Sequence, residues 1–209
     1  MRVSVTPRWH VARCGVQECA LRTPDPPLDV ADYLETAGGL LVGYDSGEFG
    51  GGLLWFDDRG RWEQTITSAN TLRLLATPRG PVAFTGVSHM MTDEGHVLRL
   101  ARRGAGWRSA SRRLPGAPRV VLAQPDDSIL VVTTEDLVRL TTDLRVVHLH
   151  HGAWRELYPS TLVEDTDGSF FIGMRYAVAH LRPGPSGMTE EWLVPEGAGA
   201  RPDGRLTPG

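Results

Sequence analysis

The stretch that decides the fold is Asp127-Ser128-Ile129-Leu130-Val131, followed after a short gap by Leu137-Val138-Arg139-Leu140. It consists of a turn with Asp or Gly, an apolar run, a gap, and a second run that ends in a large apolar residue. The same pattern occurs in three other places: residues 39–43 with 54–56, 80–84 with 97–100, and 168–172 with 178–181. The closing residues Phe56, Leu100, Leu140 and Leu181 are 44, 40 and 41 positions apart, so the chain contains internal repeats.

A period of about forty residues with several short strands per unit is typical of a β-propeller, in which each repeat forms one blade. Each repeat contains four strand candidates bounded by Gly, Pro or Asp. We therefore predict an all-β fold: a small β-propeller of five blades, each with four antiparallel strands, in a single domain covering residues 1–209. Four predicted blades are residues 31–66, 71–110, 119–155 and 161–195, and the fifth combines residues 1–23 with the C-terminal tail. A four-bladed ring with an N-terminal extension is the alternative.

The repeats resemble the degenerate blades of bacterial β-propeller proteins of the YVTN, NHL and two-component-regulator types. The resemblance rests on an Asp-Gly-type turn such as Asp167-Gly168, a buried strand, a short loop, and a strand ending in Arg-Leu or His-Leu. The pattern differs from WD repeats, because no Gly-His and Trp-Asp pair recurs, and residues 58–62 echo a sialidase-type Asp box only once. The resemblance implies a scaffold without inherited catalytic residues, since a fold does not by itself give a function.

Composition narrows the classes of function. The formal net charge is −3 and all 22 basic residues are Arg, which excludes lysine chemistry and gives no overall attraction to nucleic acid. The first residues contain no apolar core with a small-residue cleavage site, and no apolar stretch approaches the ~18 residues of a membrane span. We expect a bacterial, cytoplasmic protein with no membrane or nucleic-acid partner and no cofactor. Cys14 and Cys19 are expected to be reduced thiols, because no second Cys pair completes a zinc site.

Loop length points to one end of the predicted propeller as the binding face. The loop between the second and third strands is short in the third and fourth repeats (133–136 and 174–176) and long in the first two (44–52 and 86–96). Insertions on one side of a repeat scaffold commonly carry function. We predict a partner-binding surface at Tyr44, Asp45, Glu48, Phe49, His89, Met90, Met91, Asp93, Glu94, Arg175 and Tyr176. Two other interpretations remain open: solvated, structurally neutral loops, or a divalent-metal site formed by carboxylates and His.

Two further groups of residues are ambiguous in the sequence. His148 and His150 would face the same side of a strand and could bind zinc or copper. The alternative is that they face solvent on an outer strand. Four Trp residues fall near outer strands and are expected to pack between blades: Trp62, Trp107, Trp154 and Trp192.

The sequence favours a non-catalytic protein-binding module whose partner is another protein, for example a toxin-neutralising immunity protein or an assembly adaptor. The alternative is a hydrolase or lyase that acts on a glycan or small molecule at the channel mouth. That alternative would use an inward pair among the carboxylates Asp45, Glu48, Asp93 and Glu94. The sequence itself identifies no catalytic residue.

Overall fold

A computed structural model describes residues 30–195, which form 16 β-strands in four antiparallel sheets of four strands each. The first sheet contains β1 (Val30–Thr36), β2 (Gly39–Asp45), β3 (Gly51–Asp57) and β4 (Trp62–Thr67). The second contains β5 (Thr71–Leu75), β6 (Val82–His89), β7 (Thr92–Arg103) and β8 (Gly106–Leu114). The third contains β9 (Pro118–Ala123), β10 (Ile129–Thr133), β11 (Asp136–Leu140) and β12 (Val146–His151). The fourth contains β13 (Thr161–Glu164), β14 (Phe170–Gly173), β15 (Val178–Gly184) and β16 (Gly187–Leu193).

The predicted fold class is confirmed: the chain is an all-β propeller of four-stranded antiparallel sheets. Within each sheet the strand order follows the chain. The first strand of each sheet contacts the first strand of the next sheet, from β1 to β5, β9 and β13. The predicted fifth blade and both Cys residues fall in 1–29 and 196–209, outside the described residues, so the number of blades remains a prediction. Within residues 30–195, helical structure is limited to single 3-10 turns at Gly47–Phe49 and Arg155–Leu157, and no helix there is long and apolar enough to span a membrane.

The second and third strands are almost continuously apolar, and the second and third sheets are buried on both faces against neighbouring sheets. On β10, Ile129 and Val131 belong to the core shared with the second sheet, whereas Leu130 and Val132 belong to the core shared with the fourth. Successive side chains of a strand point to opposite faces, so an uninterrupted apolar run is what a sheet covered on both sides requires. A third core, which includes Leu41, joins the first and second sheets. Each buried aliphatic side chain contributes ~1.5–3 kcal/mol.

The prediction that outer-strand Trp residues pack between blades holds for two of the four. Trp107 and Trp154 are buried, but Trp62 and Trp192 are about half exposed, so the prediction is wrong for them. Both exposed residues lie on fourth strands, β4 and β16, which form the outer edge of their sheets. Trp154 lies after β12, in the connection to the fourth sheet, and its indole Nε1 donates to Glu190 Oε1 at 3.1 Å.

The connections fall at two ends of the molecule. We call the end that carries the connections between second and third strands the upper end; these connections are residues 46–50, 90–91, 134–135 and 174–177. The same end carries the connections between sheets, which are residues 68–70, 115–117 and 152–160. The lower end carries the remaining turns. Two of these use an Asp carboxylate to accept the backbone N–H of a Ser two residues later, at Asp126–Ser128 and Asp167–Ser169. This local bonding explains why the Asp-type turn recurs in the sequence.

Candidate functional site

The tips of the first two sheets meet at the upper end. Glu48 Oε2 lies 2.9 Å from His89 Nε2, which joins the first tip to the second by an ion pair when the imidazole is protonated. Asn70, in the connection between the sheets, holds both tips: its side-chain Nδ2 donates to the carbonyl of Gly47, and its own carbonyl accepts the N–H of Gly86. The structure therefore brings together two segments that are about forty residues apart in the chain.

The second tip is an extended hairpin, which corrects the prediction of a long loop. Strands β6 and β7 pair as far as His89 and Thr92, so only Met90 and Met91 form the turn. Gly86 and Gly95, near the two ends of the predicted loop, face each other within the hairpin. A Cβ on Gly95 would lie 2.0 Å from the carbonyl oxygen of Gly116, so these glycines allow the passing backbone of the next connection to come close and do not mark a loop.

Three large apolar side chains project from these adjacent tips. Phe49, Met90 and Met91 are 77%, 84% and 97% exposed. Met90 also has a φ of 48°, in the left-handed region that residues other than Gly, Asn and Asp rarely adopt. Two-residue hairpin turns are usually built from Asn, Asp or Gly. Met90-Met91 therefore departs from local turn chemistry at the point where it is most exposed to solvent.

Tyr44 and Asp45 have structural contacts at the base of the first tip. Tyr44 pairs with Gly52 across β2 and β3, and burial raises the pKa of its phenol above the ordinary value, so it is neutral at physiological pH. The Asp45 carboxylate accepts the N–H of Gly47 at 2.9 Å and thereby fixes the start of the 3-10 turn that presents Phe49.

Asp93 anchors the second tip to the third sheet. Its Oδ1 accepts the N–H of the buried Ala117 at 2.9 Å, and its Oδ2 accepts from Thr134 Oγ1 and, at 3.1 Å, from Arg155. Arg155 also donates to Glu135 at 3.0 Å. Three donors, one from each of three connections, thus converge on Asp93, which has the surroundings of a structural carboxylate. Glu94, the next residue, is exposed.

Arg175 and Tyr176 lie on the fourth sheet and reach the tips only indirectly. The Arg175 guanidinium stacks over Tyr158 at 4.2 Å and lies 5.9 Å from the Tyr176 ring centre. The backbone N–H of Arg175 donates to Leu157, at the end of the 3-10 turn that begins with Arg155. Within residues 30–195, no hydrogen bond or ion pair joins either residue to the first two tips. The predicted set therefore forms two groups linked through Arg155–Leu157.

The two His residues of β12 do not share a face, contrary to the expectation from simple alternation. A bulge between Leu137 and Val138 shifts the register opposite them. His148 turns towards Asp136, at 3.6 Å, whereas the partly buried His150 bonds to Glu190 of the fourth sheet at 2.5 Å. In the described part of the chain, no three His, Cys, Asp or Glu side chains converge in a way that could hold a metal ion.

The structure also contains a concave site that the sequence did not reveal. A cavity of about 290 Å³ opens between β5 and β9, and its wall carries Arg73 and Arg119. These residues are far apart in the chain, so no local motif reveals them. The available signal was a charged residue within two otherwise apolar first strands, Leu72-Arg73-Leu74 and Pro118-Arg119-Val120.

Comparison with known proteins assigns no function to the chain. No protein-family model and no curated protein matches the chain. The extracellular domain of BT4673 from B. thetaiotaomicron is 17% identical over 77% of this chain, with a TM-score of 0.48, and the chain spans 22% of that protein. Hydrazine synthase of Kuenenia stuttgartiensis is 13% identical over 69% of this chain, with a TM-score of 0.44 and 49% of its own length covered. A candidate gluconolactonase is 18% identical over 77% of this chain, with a TM-score of 0.43 and 61% of its length covered. No residue role carries over at these identities.

Proposed function

We propose that this protein is a non-catalytic β-propeller, with blades of the YVTN, NHL and two-component-regulator kind, that binds another protein at its upper end. The observation that carries the proposal is the group of exposed apolar side chains on two adjacent tips, Phe49, Met90 and Met91. We call this group the apolar tip. Clustered apolar groups exposed on a soluble protein mark sites of interaction, whereas single ones do not.

The backbone of the apolar tip supports the same proposal. Met90 occupies a left-handed conformation that Asn or Gly would adopt at lower cost. Sequences depart from local preferences mainly at functional sites, where the side chain is needed for something other than folding. Met side chains are flexible and polarizable, which suits a contact surface that adapts to a partner.

Charge around the apolar tip indicates the chemistry of the partner. Glu48 and the exposed Glu94 flank the tip, and Glu48 is paired with His89. Polar rims of interfaces are complementary in charge, so we expect a partner that places basic residues around an apolar anchor. Arg175 stacked on Tyr158 offers a second contact on the fourth sheet, and Arg and Tyr are both common among residues that dominate binding energy.

Two biological roles fit a non-catalytic binder of this kind: a toxin-neutralising immunity protein and an assembly adaptor in the bacterial cytoplasm. The rival function, a hydrolase or lyase, is not favoured because three of its four candidate carboxylates already have structural partners and the fourth, Glu94, is exposed. Asp93 is bonded to Ala117 and Arg155, Glu48 is paired with His89, and Asp45 fixes a turn. A carboxylate used in this way is poorly placed to act as one of a catalytic pair.

Site-specific photo-cross-linking in the source cells tests the proposal. A photo-reactive benzoylphenylalanine replaces Phe49 in one variant and the half-exposed Trp62 in a matched control. Both changes put one aromatic cross-linker on the surface of the first sheet, but Trp62 begins β4, next to the lower end. We expect a discrete cross-linked partner from position 49 and none from position 62.

Loss of that cross-link when Met91→Ser is added would place the contact at the apolar tip. Cross-links of equal yield from both positions, or none from position 49, would contradict the proposal. Once the partner is purified, its association rate should fall with increasing salt, because an acidic rim steers a basic partner and salt screens that attraction over about 10 Å at 0.1 M.

A further inference from the structure

The cavity between the second and third sheets has the size and lining of a small-molecule site. Its volume of about 290 Å³ lies near the ~300 Å³ at which ligand pockets begin. Leu72 from β5, with Val120 and Val121 from β9, supplies an aliphatic wall. The charged groups on that wall are Arg73 and Arg119. None of these residues belongs to the apolar tip.

Arg119 has unused hydrogen-bonding capacity. Its Nε is buried and has no hydrogen-bond partner, and within residues 30–195 no carboxylate pairs with its guanidinium. Buried polar groups are hydrogen-bonded in the great majority of cases, and a buried donor without a partner costs free energy. The Arg119 side chain as a whole is only partly buried and lines the cavity, so its guanidinium has donors to offer an acceptor there.

The positive charge of Arg73, on the same wall, is only weakly neutralised by its nearest carboxylate. Its Nε lies 3.6 Å from Asp32 Oδ2, which is beyond hydrogen-bond distance. The Asp32 carboxylate already accepts the N–H of Leu74 at 2.8 Å through Oδ2 and that of Tyr33 at 2.9 Å through Oδ1. Asp32 keeps its negative charge but is not part of the lining, and the described residues that line the cavity include two Arg and no carboxylate.

We propose that this cavity binds a small organic anion, with its carboxylate or phosphate group held between Arg73 and Arg119. A guanidinium presents parallel N–H donors that match both carboxylate and phosphate oxygens. These two arginines would therefore donate hydrogen bonds to the anionic group of the ligand. The aliphatic side chains of Leu72, Val120 and Val121 would contact the apolar part of the ligand. This site lies on inner strands and is independent of protein binding at the apolar tip.

Isothermal titration of the full chain with inorganic phosphate and, separately, with succinate tests the proposal at constant ionic strength. We expect saturable binding of at least one of the two, with a Kd at or below about 1 mM, and the two arms distinguish a phosphate from a carboxylate ligand. Arg119→Gln and Arg73→Gln should each weaken binding by about tenfold or more, the usual loss for a charge-assisted hydrogen bond. Arg108→Gln, which removes the same charge from the exposed face of β8, should bind like the wild type.

Urea unfolding without added anion separates binding from folding. Because Arg119 satisfies no acceptor in the described structure, Arg119→Gln should unfold at the same or a higher urea concentration than the wild type. Arg119→Lys, which keeps the charge but not the planar fork, should fall between wild type and Gln in affinity. No saturable binding to the wild type, unchanged affinity in both Gln variants, or an equal loss in Arg108→Gln would overturn the proposal.

Discussion

Replacing Met90-Met91 with Asn-Ser should stabilise the protein while removing its proposed contact surface. A non-Gly residue in the left-handed region loses ~1–2 kcal/mol, and Asn recovers part of that cost because it tolerates the conformation. Met90 has a φ of 48°, and the two side chains are 84% and 97% exposed, so almost no buried apolar area is lost. We expect a net gain of ~0.5–1 kcal/mol in the free energy of unfolding.

The gain is measurable in two ways. For a chain of this length, ~1 kcal/mol corresponds to a rise of about 2–4 °C in Tm. In urea, the midpoint should rise while the slope m stays the same, because the surface exposed on unfolding is unchanged. Capture of the cross-linked partner should fall in the same variant. Trp62→Gln, which removes an exposed apolar side chain away from the tip, should leave capture unchanged.

Two results would refute this reasoning. A lower urea midpoint in the Asn-Ser variant would mean that Met90 or Met91 is packed against another part of the folded protein. Unchanged capture would mean that the apolar tip does not contact the partner. A destabilised and non-binding variant would be uninformative about the interface but would already contradict the assigned exposure of these side chains.

Three further changes test the scaffold. Asp127 has a φ of 62° at the turn position where Gly168 of the next sheet has 80°, so Asp127→Gly should raise the urea midpoint by the equivalent of ~0.5–1 kcal/mol. Asp93→Ala leaves the buried N–H of Ala117 without an acceptor and should cost ~1–3 kcal/mol by the same assay. The backbone N–H of Arg61 donates to the Asp57 carboxylate, and this hydrogen bond is the main reason that the pKa of Asp57 lies below its ordinary value. The ionised carboxylate therefore stabilises the folded state fully above the unfolded pKa of ~3.9, and this stability is lost as pH falls through the lower folded pKa. Asp57→Asn should flatten the loss of stability in acid, measured as the urea midpoint against pH.

Neighbouring carboxylates serve as controls for two of these changes. Glu94→Ala, next to Asp93 but exposed, should change stability by less than ~0.5 kcal/mol. Asp58→Asn, next to Asp57 and exposed, should leave the acid slope as in the wild type. Equal effects in a control and its paired variant would show that net charge, and not the specific hydrogen bonds, governs the result.

The sequence was informative wherever the cause is local. The continuous apolar run at residues 129–132 predicts a strand buried on both faces, and the turns Asp126–Ser128 and Asp167–Ser169 are each closed by a hydrogen bond within three residues. Both features are visible in short segments. The hairpin turn at Met90 was misread because Gly86 and Gly95 are glycine for a reason outside their own segment, the close approach of the backbone at Gly116. The His pair of β12 was misread because a bulge in the pairing with β11 changes the face that His148 presents.

By itself, the sequence determined that this chain repeats a four-stranded unit, because periodicity and turn chemistry are encoded within a few residues. Only the tertiary structure decided that Glu48 meets His89, that Asp93 is tied to Arg155, and that Arg73 and Arg119 share one cavity. These contacts join positions about forty to sixty residues apart, and their geometry depends on how neighbouring sheets pack. That packing is set by side chains from two sheets at once, so no single segment encodes it.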